Sequence, residues 1–219
     1  MTNFSRASLR LALLAIFILA GLIGGQDGSF DAAASSWMAN VRHAHPQLTS
    51  LAAILTQLGS VYMTLGLGLL ACVILAFRGR ARAAFLLAAI VLLERLSVDG
   101  LKLAIGRPRP ELELLPFMPG SYSFPSGHSA NSMAAFTAVA LIAVPWHWRR
   151  PALAAAISLA IFIGLTRIVL GVHWPSDVIG GWAWGLLFVE LGLAAGKRSG
   201  AIEAEHDVVG RHLPPADQD

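Results

Sequence analysis

Six stretches of apolar sequence run through this chain, and the solvent they demand constrains everything else about it. They extend from about Leu11 to Gly25, Leu51 to Phe77, Ala83 to Leu103, Ser129 to Trp146, Leu153 to Leu170 and Val178 to Ala195. A helix needs about 20 predominantly apolar residues to cross the hydrocarbon core of a bilayer. Every backbone N–H and C=O must find an internal partner there, which a helix provides. The residue balance agrees, since only 13% of the 219 residues are charged, against about 25% in an ordinary soluble domain. The expected fold is therefore all-α, a polytopic membrane bundle of six transmembrane helices. Arg6 and Arg10 ahead of the first stretch also fit a signal peptide, but no small-x-small cleavage site follows, so a retained anchor is expected.

The loops set the orientation, because short cytoplasmic loops collect Lys and Arg. Arg6 and Arg10 precede the first span, and Arg78, Arg80 and Arg82 separate the second from the third. Arg149 and Arg150 separate the fourth from the fifth, and Lys197 and Arg198 follow the sixth. All four groups fall on one side, which predicts both termini in the cytoplasm of a multi-pass inner-membrane protein. Trp146 and Trp148 fit an interfacial belt beside the Arg149 group. The net charge of +3 does not imply a nucleic-acid partner, since the basic residues fall in short clusters between apolar runs. The single cysteine, Cys72, lies inside an apolar run and supports neither a disulfide framework nor a thiolate metal site.

Between the first two spans, Phe30, Ala33, Ala34, Trp37, Met38 and Val41 recur at helical spacing. That spacing predicts an interfacial amphipathic helix. The stretch from Ala201 to Asp219 is polar, carries Pro214 and Pro215 and lacks apolar periodicity, so it reads as a disordered cytoplasmic tail. The organisation expected is one membrane domain over residues 1–200, with its chemistry between 102 and 177, followed by a tail over 201–219.

Three polar segments gather at the ends of the spans opposite the arginine-rich loops. In the first, Lys102 to Pro110, Gly106 and Pro108 are expected to end the helix and turn Arg109 back toward the bundle. Lys102 and Arg109 then converge on one anion, the arginine as a planar fork and the lysine as a point charge. Asp99, three residues before Lys102, is expected to hold its ammonium. In the second, Phe124 to Ser129, Ser126 or Ser129 is expected to cap a helix whose free N–H groups form an anion site. Gly127 admits a close approach to the backbone, and His128 lies where it can donate a proton to a departing alkoxide. In the third, His173 and Asp177 stand four apart, so the carboxylate orients one imidazole nitrogen and leaves the other nucleophilic. Arg167, close to the end of an apolar helix, is costly there unless it faces the bundle interior or an anion. Each segment alone also fits a plainer reading: snorkelling cations, a capped helix start, and a structural His/Asp pair.

Together, Lys-x6-Arg-Pro, Pro-Ser-Gly-His and Thr-Arg-x5-His-x3-Asp, in that order, resemble the three signatures of the type 2 phosphatidic acid phosphatase superfamily. The tail and the first loop have no counterpart, and Thr166 stands where that family generally has serine. The resemblance implies that His173 attacks phosphorus to form a phosphohistidine, that Asp177 orients it, and that His128 protonates the leaving oxygen. It implies phosphate binding by Lys102, Arg109, Arg167, Ser126 and the Gly127 backbone. With three cations converging, no metal or other cofactor is expected, and the sequence offers no Asp/Glu cluster for one.

The activity so implied is hydrolysis of a lipid phosphate or diphosphate, such as an isoprenoid diphosphate, phosphatidic acid or phosphatidylglycerol phosphate. Alternatives are a lipid-dependent phosphotransferase using the same site and a non-enzymatic protein that binds or transports lipid phosphates. Arg107, inside the six-residue spacer, reads as a headgroup contact or a residue behind the phosphate site. Glu94, Arg95 and Glu190 read as interhelical pairs or cytoplasm-side contacts, with a proton or substrate path as the alternative. The Phe117, Met118, Tyr122 and Phe124 stretch fits either a guide for lipid chains or interfacial packing.

Overall fold

The computed structural model describes residues 3–110 and 121–201. The tail, apart from Ala201, lies outside the described residues, as do Phe117 and Met118. Among the described residues all regular structure is helical. The helices are α1 (Asn3–Ile23), α2 (Ser29–Ala44), α3 (Pro46–Leu55), α4 (Val61–Phe77), α5 (Ala81–Ile105), α6 (Gly127–Ile142), α7 (Trp146–Val169) and α8 (Pro175–Arg198). Four helical segments among them are long and apolar enough to cross a membrane: Ser5–Ile23, Pro46–Phe77, Trp146–Val169 and Pro175–Arg198.

The third and fourth apolar runs also form helices, but of a different kind. Helix α5 carries Arg82, Glu94, Arg95, Asp99 and Lys102 along its length. Helix α6 has only 16 residues, about 24 Å at 1.5 Å per residue. It packs against α4, α5, α7 and α8 and buries most of its residues, including Ala130, Ala134, Ala135 and Ala138. A helix enclosed by other helices meets protein rather than lipid, so its side chains need not be uniformly apolar.

Small residues let the backbones of α6 and α8 come together. A Cβ on Gly181 would sit 2.7 Å from the Ser126 carbonyl oxygen, and one on Gly185 would sit 2.5 Å from that of Ala130. Lipid tails compete equally for apolar side chains, so close backbone approach of this kind is a main source of helix association in a bilayer. One core cluster joins α4, α5, α6 and α8 around Leu75, Leu87, Ile90 and Ile142. A second ties α1 to α8 through Leu13, Phe17, Phe124 and Leu187.

The second apolar run is not one helix. It breaks at a 3-10 turn, Thr56–Gly59, after which Ser60 caps α4 by accepting from the Met63 N–H at 3.4 Å. Helix α2 forms close to the span expected of the amphipathic segment, with Phe30 and Trp37 exposed. Its Asp31 instead turns inward and is 1% exposed.

The polar residues within the spans divide. Glu190 of α8 pairs with Arg6 of α1 at 3.7 Å, an interhelical contact as expected. Arg95 pairs within its own helix, with Asp99, and Glu94 Oε1 is buried without a partner among the described residues. Neither makes an interhelical ion pair among the described residues, and for Arg95 the reason is that Asp99 lies one turn along α5.

The α6–α8 contact is sensitive to volume. Replacing Gly185 by Val drives two branches into the α6 backbone, which cannot shift as a side-chain tip can. A loss of about 1 to 3 kcal/mol is expected, read as a lowered thermal midpoint in detergent; an unchanged midpoint contradicts this packing.

Candidate active site

The three polar segments meet at one end of the bundle. Helix α5 ends at Gly106, whose φ of 64° is left-handed, a conformation that glycine adopts without a Cβ clash. The chain then runs through Arg107, Pro108 and Arg109 across the start of α8. There the Trp174 indole N–H donates to the Pro108 carbonyl at 3.0 Å. The segment before α6 is joined to the same place, since the Ser126 N–H donates to the Asp177 carbonyl at 3.0 Å. Helix α7 ends in a turn at Gly171, φ 69°, that presents His173 immediately before α8.

His173 is 3% exposed. Its Nδ1 lies 3.3 Å from Asp177 Oδ2 and 3.4 Å from Ser123 Oγ. Its Nε2 lies 3.2 Å from Nη1 of Arg109. A guanidinium has no lone pair to offer and stays protonated, so Nε2 must accept. The proton then resides on Nδ1, facing the carboxylate. Burial, helped by Arg109 and Arg167, pushes the His173 imidazole down to about 3 against the opposing pull of Asp177. It is therefore neutral at ordinary pH, with its lone pair on Nε2, where Arg109 donates to it.

Asp177 is fully buried and satisfied on both oxygens. Oδ2 accepts from the Trp174 N–H at 2.9 Å, from Ser123 Oγ and from His173. Oδ1 accepts from Arg107 at 2.8 Å. The carboxylate also sits in the first turn of α8, where the helix dipole favours negative charge.

Around this pair the cations gather. Arg109 is fixed by donation to the carbonyls of Ser121 at 2.8 Å and Val172 at 2.6 Å. Lys102 Nζ donates to the Tyr122 carbonyl at 2.6 Å. That contact corrects the expectation for Asp99, which is half-exposed and pairs with Arg95. Lys102 turns into the bundle and away from it. Arg167 Nη1 donates to Thr56 Oγ1 at 3.0 Å, while its Nε is buried without a partner among the described residues. The break in the second apolar run is what brings Thr56 to Arg167.

His128, in the first turn of α6, lies within electrostatic reach of Arg167, His173, Lys102 and Arg109. Gly59 packs beside its ring. Gly127 stands against Val98 and the Lys102 side chain. Ser126 occupies the N-cap position of α6, but no side-chain capping bond forms. Its Oγ instead accepts from Ser129 at 3.0 Å, which corrects the expectation that either serine caps the helix. The Thr166 hydroxyl donates to the Ile163 carbonyl at 2.6 Å, a bond within its own helix.

Several residues here escaped sequence reasoning. Ser123 touches both His173 and Asp177. Nothing in its local sequence marks it, because its role depends on the fold of the loop before α6. Arg107 is 7% exposed and bonded to Asp177, which excludes the headgroup contact and leaves the other expectation, a residue behind the site. Asp31 of α2 accepts from the Ser176 N–H at 3.0 Å and from the Gly25 N–H at 2.6 Å. One signal was available for it: Asp31 shares helical register with Ala34 and Met38, a carboxylate on an otherwise apolar stripe. Arg42, at the other end of α2, donates to the Val169 carbonyl at 3.3 Å, above the turn that carries His173.

The chain is similar to several known proteins. The family model described as the PAP2 superfamily matches residues 82–199. A lipid A 1-phosphatase of Rhizobium johnstonii is 40% identical over 111 residues, which cover 47% of this chain and 43% of that protein. A phosphatidylglycerophosphatase B of Bacillus subtilis is 36% identical over 99 residues, covering 43% and 48%. The chain thus spans under half the length of these curated relatives. Among solved structures, a transmembrane PAP2-type phosphatidylglycerolphosphate phosphatase from Bacillus subtilis superposes with a TM-score of 0.76. It is 26% identical and covers 86% of this chain and 96% of that one.

The environment of His173 carries a direct test. Histidine-labelled protein followed by NMR should show this imidazole neutral well below the ordinary histidine value of about 6.5, still unprotonated at about pH 5 as its depressed value of about 3 requires. Titration at or above the ordinary value contradicts the packing described.

Proposed function

The chain belongs to the PAP2 superfamily, and from that premise we propose that this multi-pass membrane protein is a phosphatase hydrolysing a lipid phosphate or diphosphate. The observation that carries the reading is the buried His173, with Nδ1 turned to a fixed carboxylate and Nε2 turned to a cation. That is the arrangement a nucleophile needs when the group it attacks carries negative charge.

In the proposed reaction the phosphoryl oxygens lie between Lys102, Arg109 and Arg167, with the Ser126 hydroxyl and the Gly127 N–H at the start of α6 completing the cradle. Nε2 of His173 forms a bond to phosphorus as the bond to the leaving oxygen breaks. His128 donates its proton to that oxygen and becomes neutral. Asp177 balances the positive charge that grows on the His173 ring. Neutral His128 then takes a proton from water, whose oxygen attacks phosphorus and displaces His173, so that inorganic phosphate leaves and the protein returns to its starting state. Three guanidinium or ammonium groups supply the charge that a metal supplies elsewhere. The unpartnered Nε of Arg167 supports this placement, since a buried N–H without an acceptor is rare in native structures.

The proposed topology is six spans, with α5 and α6 joining the four apolar segments. Arg80, Arg82 and Arg149 line one cavity, and Arg6, Arg10, Lys197 and Arg198 line another. Both belong to the helix ends remote from His173, which by the positive-inside rule supports termini in the cytoplasm and a site on the outer face of the inner membrane. Helix α2 would lie in the membrane interface through Phe30 and Trp37. The substrate class is a lipid bearing an accessible terminal phosphate: a prenyl diphosphate, a glycerophospholipid phosphate, or the glycolipid phosphate that the name of the Rhizobium relative points to.

Purified full-length protein in detergent should release inorganic phosphate from one or more of these lipids in the presence of a chelator, and vanadate should inhibit it. His173→Ala should lower turnover by roughly a thousandfold or more. Full activity in that variant eliminates the nucleophile, and loss of activity with chelator points to a metal mechanism.

A further inference from the structure

Arg107 lies in the spacer between Lys102 and Arg109, where the three signatures ask nothing of it. Its surroundings assign it a task. Nη1 donates to Asp177 Oδ1 at 2.8 Å and to Ser176 Oγ at 2.9 Å. Nη2 donates to the carbonyls of Gly21 at 2.7 Å and Ala20 at 3.0 Å. The guanidinium carbon stands 4.4 Å from the centre of the Phe124 ring. The Ala20 and Gly21 carbonyls belong to the last turn of α1, where helical donors run out. The Gly25 N–H, which would serve Gly21 in a longer helix, is given to Asp31 instead.

Asp31 extends the same chain of contacts. It binds both the backbone N–H and the hydroxyl of Ser176, and that hydroxyl receives Arg107. A continuous buried path thus runs from Asp31 of α2 through Ser176 and Arg107 to Asp177 and His173. The two Asp177 oxygens divide the work, Oδ1 facing Arg107 and Oδ2 facing His173, Ser123 and the Trp174 N–H.

We propose that Arg107 is a positioning residue for phosphoryl transfer, holding Asp177 against His173 and setting how strongly that carboxylate draws the imidazole proton. This rests on the phosphatase reading and deepens it. A buried carboxylate beside an imidazole and lacking any other counter-charge attracts a proton onto the ring, and a protonated ring cannot attack. A cation on the far oxygen tempers that attraction while keeping the carboxylate ionised. The four Nη hydrogens of Arg107 are all taken by protein acceptors.

The groups that face His173 are Asp177 from α8, Arg109 from the segment after α5, Arg167 from α7, His128 from α6 and the Ser123 hydroxyl. Lys102 adds its charge near Asp177. Arg107 faces Asp177 directly and Asp31 through Ser176, while α1 presents only carbonyls. Removing the Arg107 charge leaves Asp177 a stronger partner for the ring proton. The His173 imidazole then becomes more basic, and the acid limb of activity moves to higher pH.

The test compares Arg107→Gln and Arg107→Lys with the unmodified full-length protein in detergent micelles. It uses a short-chain phosphatidic acid as probe and histidine NMR as a readout that needs no turnover. In Arg107→Gln the His173 titration should rise by about half a pH unit or more, and the fall-off of kcat/KM at low pH should follow it. Arg107→Lys keeps the charge but loses the fork, so kcat should drop roughly tenfold with KM nearly unchanged and the pH profile unmoved. If the glutamine variant does not fold, the lysine variant decides, and a kcat equal to that of the unmodified protein overturns the proposal. An unmoved His173 titration in folded Arg107→Gln overturns it as well. Failure of both variants to fold assigns Arg107 a purely structural role. No phosphate release by the unmodified protein from any lipid phosphate sinks the phosphatase reading instead, with the NMR comparison still judging Arg107.

Discussion

A carboxylate buried at the start of a helix dictates much of this architecture. Asp177 is 0% exposed, and an ionised group removed from water is tolerated only when paired and hydrogen-bonded. Its donors come from the segment after α5 (Arg107), the loop before α6 (Ser123), the turn after α7 (His173) and the N-cap of α8 (Trp174). To satisfy one side chain, three pieces of chain must therefore arrive at the same place, since His173 and Trp174 are neighbours in one turn. The convergence of the cations around His173 follows from that requirement, because Lys102, Arg109, His128 and Arg167 are carried by the same three pieces or by their immediate neighbours.

The helices below this site have a different task, to hold those ends at fixed spacing in a solvent that gives no hydrophobic drive for association. Glycines on α8 answer it by close backbone contact with α6. Helix α6 sits inside a ring of other helices, so its first turn, bearing Gly127 and His128, enters the site from within the bundle. Helix α2 is tied down at both ends, by Asp31 near its start and Arg42 near its end. It lies across the turn that presents His173, and its exposed aromatic residues remain on the other side.

The sequence made legible whatever depends on residue identity and order. The helix stop at Gly106, the i,i+4 relation of His173 and Asp177, and the return of Arg109 toward the bundle follow from local stereochemistry. The helical register of α2 and the ends of α8 were readable to within a few residues for the same reason. What could not be read depends on tertiary competition. Asp99 has a cation on either side along α5, and the choice of Arg95 over Lys102 was made by the direction Lys102 takes to reach Tyr122. The break at Thr56–Gly59 is invisible to hydropathy, since the run is apolar on both sides of it. Arg107 and Arg109 are chemically identical and two residues apart, yet one reaches a carboxylate and the other an imidazole, a choice set by the tertiary partners each meets. Helix α5 falls short of the usual measure of a span because it carries charged residues along its length, and α6 because it has only 16 residues.

The account depends on a single anion centre shared by all three polar segments, and a structure with bound tungstate examines that most directly. The predicted result is one tungstate within hydrogen-bonding distance, about 3 Å, of Lys102, Arg109 and Arg167, with His173 Nε2 facing the metal-oxide centre and His128 on the opposite side. Tungstate held by only one segment, or two separate sites dividing these residues between them, would contradict it.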